Sequence, residues 1–287
     1  MQIILGTAQL SGNYGILNKN TQKKFHKSYL NKIYEVVKKN KINFLDTSEN
    51  YPTVHRKIGC SKLNQLKIIT KINVDKFFDK KKIEKKFNKI LKDLQLDSIY
   101  GLLIHNPENL NRLNIIDILN FFKELKINKK VKKIGVSIYD KKDLNIIKQI
   151  WTPDIVQLPI NILNKDLIKN KTIEYLKKKN VDIHVRSIFL QGLLLSPNLP
   201  KKFSKFKSTF IKWNLITNNK LEKKIFFSLK YFDKFYKLNK FVIGFDNIEQ
   251  IQLLNKTIKK NKKLPLNLNK IESNSKILKD PRHWNKL

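Results

Sequence analysis

The sequence predicts a parallel (β/α)8 barrel. Three observations predict it. Eight short apolar runs recur along the chain, a longer amphipathic stretch separates each from the next, and no Gly-, Ser- or Pro-rich linker interrupts the alternation. The length of 287 residues and the 41% hydrophobic content suit such a barrel, which commonly spans about 250 residues as one domain. A doubly wound open sheet is the competing architecture. One domain is expected over residues 1–287, with residues 262–287 as a C-terminal extension packed on the barrel through Ile271, Ile277, Leu278 and Trp284.

The predicted strands are residues 3–6, 42–46, 66–71, 99–105, 131–137, 154–158, 181–187 and 241–245. Runs this short and this apolar fit strands covered on both faces, as parallel strands are. Between them, residues 25–39 carry Tyr29, Ile33, Val36 and Val37 at helical spacing, and residues 80–96 carry Ile83, Phe87, Ile90, Leu91 and Leu94. Residues 110–125, 141–150, 165–179, 221–235 and 248–260 repeat the theme. Residues 196–217 stand outside it and are expected to form a long loop of the kind that often closes over a site.

The formal net charge is +37, yet only four of the 60 basic residues are Arg: Arg56, Arg112, Arg186 and Arg282. A dedicated nucleic-acid surface draws on Arg and concentrates charge on one face. Here Lys runs such as 80–82 and 177–179 fall in predicted helices, which reads as a solvated outer ring, with no specific nucleic-acid partner. Cys60 is the only cysteine, so neither an intrachain disulfide nor a thiolate zinc site can form, and no metal is expected. Cys60 follows Gly59 at a helix end and reads as inert core. Residues 1–6 have no basic leader, and their apolar run is too short for a signal peptide or a membrane span; a cytoplasmic protein is the expectation.

In barrels of this kind the active site lies at the carboxyl ends of the strands. The second strand ends at Asp46 with Tyr51 just beyond, the third at Lys71, and the fourth at His105 followed by Asn106 and Pro107. A carboxylate, a phenol, an ammonium and an imidazole therefore converge on one rim. Each has a part in carbonyl reduction, because the carbonyl oxygen gains negative charge and needs a proton donor. A free phenol near pKa ~10 is a poor donor near neutrality. Lys71 is expected to lower it, Asp46 to hold Lys71, and His105 to orient the carbonyl.

Leu45-Asp46-Thr47-Ser48-Glu49-Asn50-Tyr51, then Ile69-Thr70-Lys71, then Leu103-Ile104-His105-Asn106-Pro107 resemble the aldo-keto reductases, whose Asp, Tyr, Lys and His stand at these strand ends in this order. The likeness continues through Ile134-Gly135-Val136-Ser137, Gln157-Leu158-Pro159-Ile160-Asn161, the block 186–194 and the segment 243–250. The closing residues 280–284 and the block 186–192 look like a bacterial branch often found in surface-sugar biosynthesis. The resemblance implies reduction of an aldehyde, ketone or sugar by NADPH, with NADH not excluded. It implies that Ser137 and Gln157 bind the nicotinamide carboxamide and that Phe189 stacks on its ring. Gly6 and Thr7 would flank the cofactor, and Gly192, Gly244, Asn247 and Gln250 would hold its pyrophosphate and adenosine. Asn106 and Trp213 are the candidate substrate contacts.

The chain departs from the family pattern at three places. Pro52 follows Tyr51 where Gly is usual, Ile138 follows Ser137 where Asn is usual, and Phe245 and Asp246 follow Gly244 where a 2′-phosphate would need Arg or Lys. Pro52 and Ile138 keep a second reading in play, a redox-neutral lyase or epimerase on the same fold. The charge keeps a third, a non-catalytic nucleotide- or polyanion-binding protein. An intact set of Asp46, Tyr51, Lys71 and His105 weighs against a mere binder.

Overall fold

The structure, a computed structural model, describes residues 1–12, 14–16, 25–110, 114–260 and 262–287. Eight parallel strands close into a barrel in sequential order: β1 (Gln2–Gly6), β2 (Phe44–Asp46), β3 (Lys67–Ile72), β4 (Ile99–Ile104), β5 (Val131–Ser137), β6 (Ile155–Pro159), β7 (Asp182–Arg186) and β8 (Lys240–Gly244). Closure comes from β1 pairing with β8, in register from Gln2 against Lys240 to Gly6 against Gly244. The chain is thus a (β/α)8 barrel. At β5 a glycine is required: a Cβ on Gly135 would lie 2.1 Å from the carbonyl oxygen of Ile155.

The outer helices are α1 (Lys27–Lys39), α2 (Val54–Gly59), α3 (Lys80–Leu94), α4 (Ile115–Ile127), α5 (Lys141–Ile147), α6 (Asp166–Lys169), α7 (Thr172–Lys178), α8 (Lys207–Thr217), α9 (Leu221–Tyr236), α10 (Ile248–Ile258) and α11 (Lys276–Lys279). Helix α3 shows why they form. Asp79 caps its first turn by accepting from the Lys82 amide at 3.0 Å. Ile83, Phe87, Ile90, Leu91 and Leu94 are buried on one face, and Lys80, Lys81 and Lys82 stay in solvent. Of the helix expected over 110–125, residues 111–113 lie outside the described residues.

Side chains alternate along a strand, so residues two apart share a face. Ile69, Leu103 and Ile155 form a small cluster of their own, with Phe44 and Tyr100 packed against it. Two residues further along the same faces stand Lys71, His105, Gln157 and Asp46. The apolar plug therefore forms a floor, and the polar residues form the layer above it at the carboxyl mouth. The larger apolar core fills the space between sheet and helices.

The loop expected over 196–217 is a correction. A 3-10 turn at Lys201–Phe206 runs directly into α8. Phe203, Phe210, Trp213 and Thr217 are buried at near-helical spacing, a period that Pro197, Pro200 and the interspersed lysines disguise. Residues beyond α10 fold back against the barrel. The buried Lys165 donates to the carbonyls of Leu268, Asn269 and Ile271 at 3.3, 3.0 and 2.8 Å. Trp284 packs edge-on against Phe203 with ring centres 4.9 Å apart. Cys60 is exposed, not core, because it caps the end of α2. Among the described residues no helix is long and apolar enough to cross a membrane.

Candidate active site

A cavity of about 320 Å³ opens at the carboxyl mouth, and Asp46, Tyr51, Lys71 and His105 all line it. At its base Lys71 Nζ lies 2.6 Å from Asp46 Oδ1 and donates to the Thr47 carbonyl at 2.8 Å. The other carboxylate oxygen, Asp46 Oδ2, accepts from Gln157 Nε2 at 2.7 Å. The backbone around Asp46 is braced in turn by Thr7, whose hydroxyl donates to the Asp46 carbonyl at 3.0 Å. Two of the three ammonium protons of Lys71 are thereby used. Burial pushes the Lys71 pKa down, and the adjoining Asp46 carboxylate only partly opposes it.

His105 is held from one side. Ser48 Oγ and Asn50 Nδ2 each lie 3.0 Å from its Nδ1. Asn50 Oδ1 accepts from the Asn73 side-chain amide, so the Asn50 amide nitrogen faces the ring as a donor. Nδ1 is then the acceptor, and the ring proton sits on Nε2. Burial, reinforced by the charges of Lys71 and Arg186, lowers the His105 pKa to about 3 and keeps the ring neutral. Tyr51 departs from expectation. Burial, then the neighbouring Tyr14 and Asp46, push its phenol above the ordinary range, and only Arg186 acts against them.

Ser137 and Gln157 are paired in register on β5 and β6. Ser137 Oγ and Gln157 Oε1 are both buried and both lack a hydrogen-bond partner among the described residues. Unsatisfied buried polar atoms are costly and call for a ligand. One acceptor and one hydroxyl fit a carboxamide, which offers N–H and C=O together.

A second cavity of about 360 Å³ shares Gln9, Tyr14, Ser187, Gln191, Val242 and Gly244 with the first, so the two adjoin. Gly192, Phe189, Gly244 and Gln250 line it, while Gly6, Thr7 and Gln157 line the first. Phe189 is therefore away from the four mouth residues, and the side chain that β7 sends among them is Arg186. The connecting turn is tightly wound: Ser187, Leu190, Gln191 and Gly192 all have positive φ. Only the last, at 89°, gains conformational ease from being glycine.

Four predicted contacts line neither cavity: Ser137, buried on β5 beside Gln157, and Trp213, Asn106 and Asn247. Trp213 is fully buried in α8 with its indole donating to the Leu194 carbonyl at 2.9 Å, and it lines neither cavity. Asn106 clamps the chain after β3 by bonding both the amide and the carbonyl of Val74 at 2.8 Å. Asn247 lines neither cavity and caps α10, accepting from the Gln250 amide at 2.9 Å. Conversely, Tyr14, Tyr139, Arg186 and Arg282 line the first cavity without having been singled out as site residues. A signal for two of them was present: in a chain this rich in Lys, an Arg is a choice.

A model of the aldo/keto reductase family matches residues 2–273. The chain belongs to that family. Among solved structures, this aldo/keto reductase is similar to one from Bacillus halodurans in its holo form, at TM-score 0.70 and 17% identity over 99% of this chain and 91% of that one. It is also similar to a glycerol dehydrogenase from Gluconobacter oxydans, at TM-score 0.68 and 16% identity over 93% and 89% of the two chains. At such identities the likeness is one of fold. A curated protein, the probable polyketide synthase 14 of Dictyostelium discoideum, is 26% identical over 192 residues. That stretch is 63% of this chain and only 6% of the relative.

Proposed function

We propose that the protein is an NAD(P)H-dependent oxidoreductase that reduces the carbonyl of a small aldehyde, ketone or sugar in the reducing cytoplasm. The observation that carries this reading is the convergence of a protonated phenol and a neutral imidazole over one buried carboxylate–ammonium pair. Bound reduced nicotinamide would supply the hydride. Ser137 Oγ and Gln157 Oε1 would hold its carboxamide. His105, with its proton on Nε2, donates to the carbonyl oxygen and fixes its direction. Tyr51 then gives its phenolic proton to that oxygen as negative charge develops, and the third proton of Lys71 stabilises the phenolate left behind. Asp46 holds Lys71 in position. A phenol kept protonated suits the reductive direction, so the reductive kcat is expected to stay flat across neutral pH.

Tyr51→Phe should lower turnover about a thousandfold while a fluorescence titration still shows cofactor binding. Near-normal turnover in that variant would remove the mechanism.

The lining of the second cavity supports NADH over NADPH. Among the described residues no Lys or Arg borders it. Lys256 of α10, with Lys259 and Lys260 just beyond its end, instead lines a separate surface groove with Lys39. Asp246 borders the cavity and leaves its buried Oδ1 without a partner among the described residues, while Gln250 engages Oδ2 at 3.3 Å. A carboxylate accepts from a ribose hydroxyl and repels a 2′-phosphate. Asp246→Ser should narrow the ratio of NADPH to NADH dissociation constants by about tenfold; tighter NADPH than NADH binding in the unaltered protein would reverse this reading.

A further inference from the structure

Two of the chain's four arginines line the cavity that holds Tyr51 and His105. Of the other two, Arg56 is exposed on α2, and Arg112 lies outside the described residues. Both cavity arginines pack against one ring. The guanidinium carbon of Arg186 lies 4.1 Å from the centre of Tyr139, and that of Arg282 lies 3.3 Å from it. They differ in what balances their charge. Arg282 is held by Asp280, through Nε at 3.0–3.1 Å and Nη2 at 2.6 Å. Arg186 has no carboxylate partner among the described residues. Among the described residues its hydrogen bonds run to the Ile138 carbonyl at 3.2 Å and, at 3.5 Å, to Ser187 Oγ. Asp46, the other acid lining the cavity, is committed to Lys71 and Gln157.

Arg186 is therefore a half-buried, permanent cation with free donors, beside the reacting groups and oriented by a stacked ring. Its charge already helps to depress His105. A cation in that position lowers the cost of burying an anion and presents a planar fork to two oxygens at once.

We propose that Arg186 binds an oxyanion carried by the substrate, so that the protein acts on a short aldehyde or ketone bearing a carboxylate or a phosphate. The proposal rests on the carbonyl-reduction reading above and names its substrate class. Tyr139, fixed by Arg282 and Asp280, keeps the Arg186 fork aimed into the cavity. The volume of about 320 Å³ limits the partner to a few carbons, since the nicotinamide end must share the space.

The test compares matched pairs that differ only in the anion: succinic semialdehyde against butanal, and glyceraldehyde 3-phosphate against glyceraldehyde. Each is assayed with NADH and with NADPH at about 0.3 M KCl, where the Debye length is short enough to mute the general field of the lysines. The anionic member of at least one pair should lead by about fiftyfold in kcat/KM, and which pair does so tells carboxylate from phosphate. In Arg186→Met that lead should shrink at least about tenfold, mainly through KM, with partial return in Arg186→Lys. Arg56→Met should leave it unaltered. Equal rates within both pairs, or a lead that survives Arg186→Met, would overturn the proposal while leaving carbonyl reduction standing. If no carbonyl is turned over with either nucleotide, the reduction reading fails by itself. Calorimetric titration of acetate and of inorganic phosphate then decides: binding weakened in Arg186→Met supports the anion site, and equal binding in both proteins removes it.

Discussion

Each end of the barrel carries an acid–lysine cluster, and the two are built differently. At the amino end Asp182 accepts from Lys240 at 2.6 Å and from Lys133 at 3.0 Å, and its side chain is 12% exposed against 28% and 30% for the lysines. At the carboxyl end Asp46 and Lys71 are 5% and 3% exposed. The lower cluster is wet, and its acid has two cationic donors. The upper one is dry, has a single cation, and stands beside Ser137 Oγ and Gln157 Oε1, which have no partner among the described residues. Buried atoms without a partner among the described residues also occur away from the mouth, at His184 Nδ1, Asn214 Oδ1, Ser228 Oγ and Thr257 Oγ1, but none of these residues borders either cavity at the carboxyl mouth. The same residue types thus serve as a staple at one end and as a poised site at the other. Burial and unmet hydrogen-bonding capacity make the difference.

The sharpest way to break this comparison is to remove one lysine from each end. Lys71→Met strands a buried carboxylate and should cost about 3–5 kcal/mol in urea unfolding, with carbonyl reduction falling about a thousandfold or more. Lys133→Met leaves Lys240 on both oxygens of Asp182 and should cost under about 1 kcal/mol, with kcat/KM unaltered. Equal stability losses at the two ends would mean that burial does not separate them.

Acid separates the ends next. Burial holds His105 at about 3, reinforced by Lys71 and Arg186, and holds His55 at about 4, with Asp93 opposing and Lys71 and Lys89 assisting, below the ordinary value near 6.5. Both rings take up protons more readily in the unfolded chain, so their contribution is complete above about pH 6.5 and is lost as the pH falls toward the folded values. At least about 2 kcal/mol should disappear between pH 6.5 and 4.5. Asp182 behaves otherwise. Burial alone would raise it, but hydrogen bonds from His184, Lys240 and Lys133 outweigh burial and hold it below the usual carboxylate range. Its contribution is present above about pH 3.9 and is lost only below that. Unfolding free energy measured against pH should therefore fall in two windows. His55→Gln should flatten the upper window, and Asp182→Asn the lower.

Much of the fold was legible because parallel strands are short apolar runs, and each predicted strand lies within two residues of an observed one. Helix α8 was not legible, since Pro197, Pro200 and the lysines broke up a period that only burial reveals. Asp46, Lys71 and His105 were readable as strand-end polar residues following apolar runs. Asn50 and Asn73, which set the tautomer of His105, were not, because nothing local marks a residue that acts by touching another element. Arg186 and Arg282 lie far apart in sequence, and the tertiary fold brings them to Tyr139. The direction of the Tyr51 pKa was not legible for a related reason: the type of a neighbour was visible, but the burial of the phenol was not.

The smallest expected effect separates a poised group from a merely imperfect one. Ser137→Ala deletes a buried hydroxyl with no partner among the described residues, so the cofactor-free protein should lose nothing and should gain up to about 1 kcal/mol. If that hydroxyl waits for the nicotinamide carboxamide, the same change should weaken NADH binding about tenfold, one neutral hydrogen bond's worth. A stabilised protein with a weakened cofactor complex is the signature of a group kept unsatisfied for a ligand. Stability and NADH affinity that fall together would make Ser137 an ordinary packing residue. Unaltered affinity would leave Gln157 alone as the carboxamide's partner and narrow the contrast between the two ends to the ion pair itself.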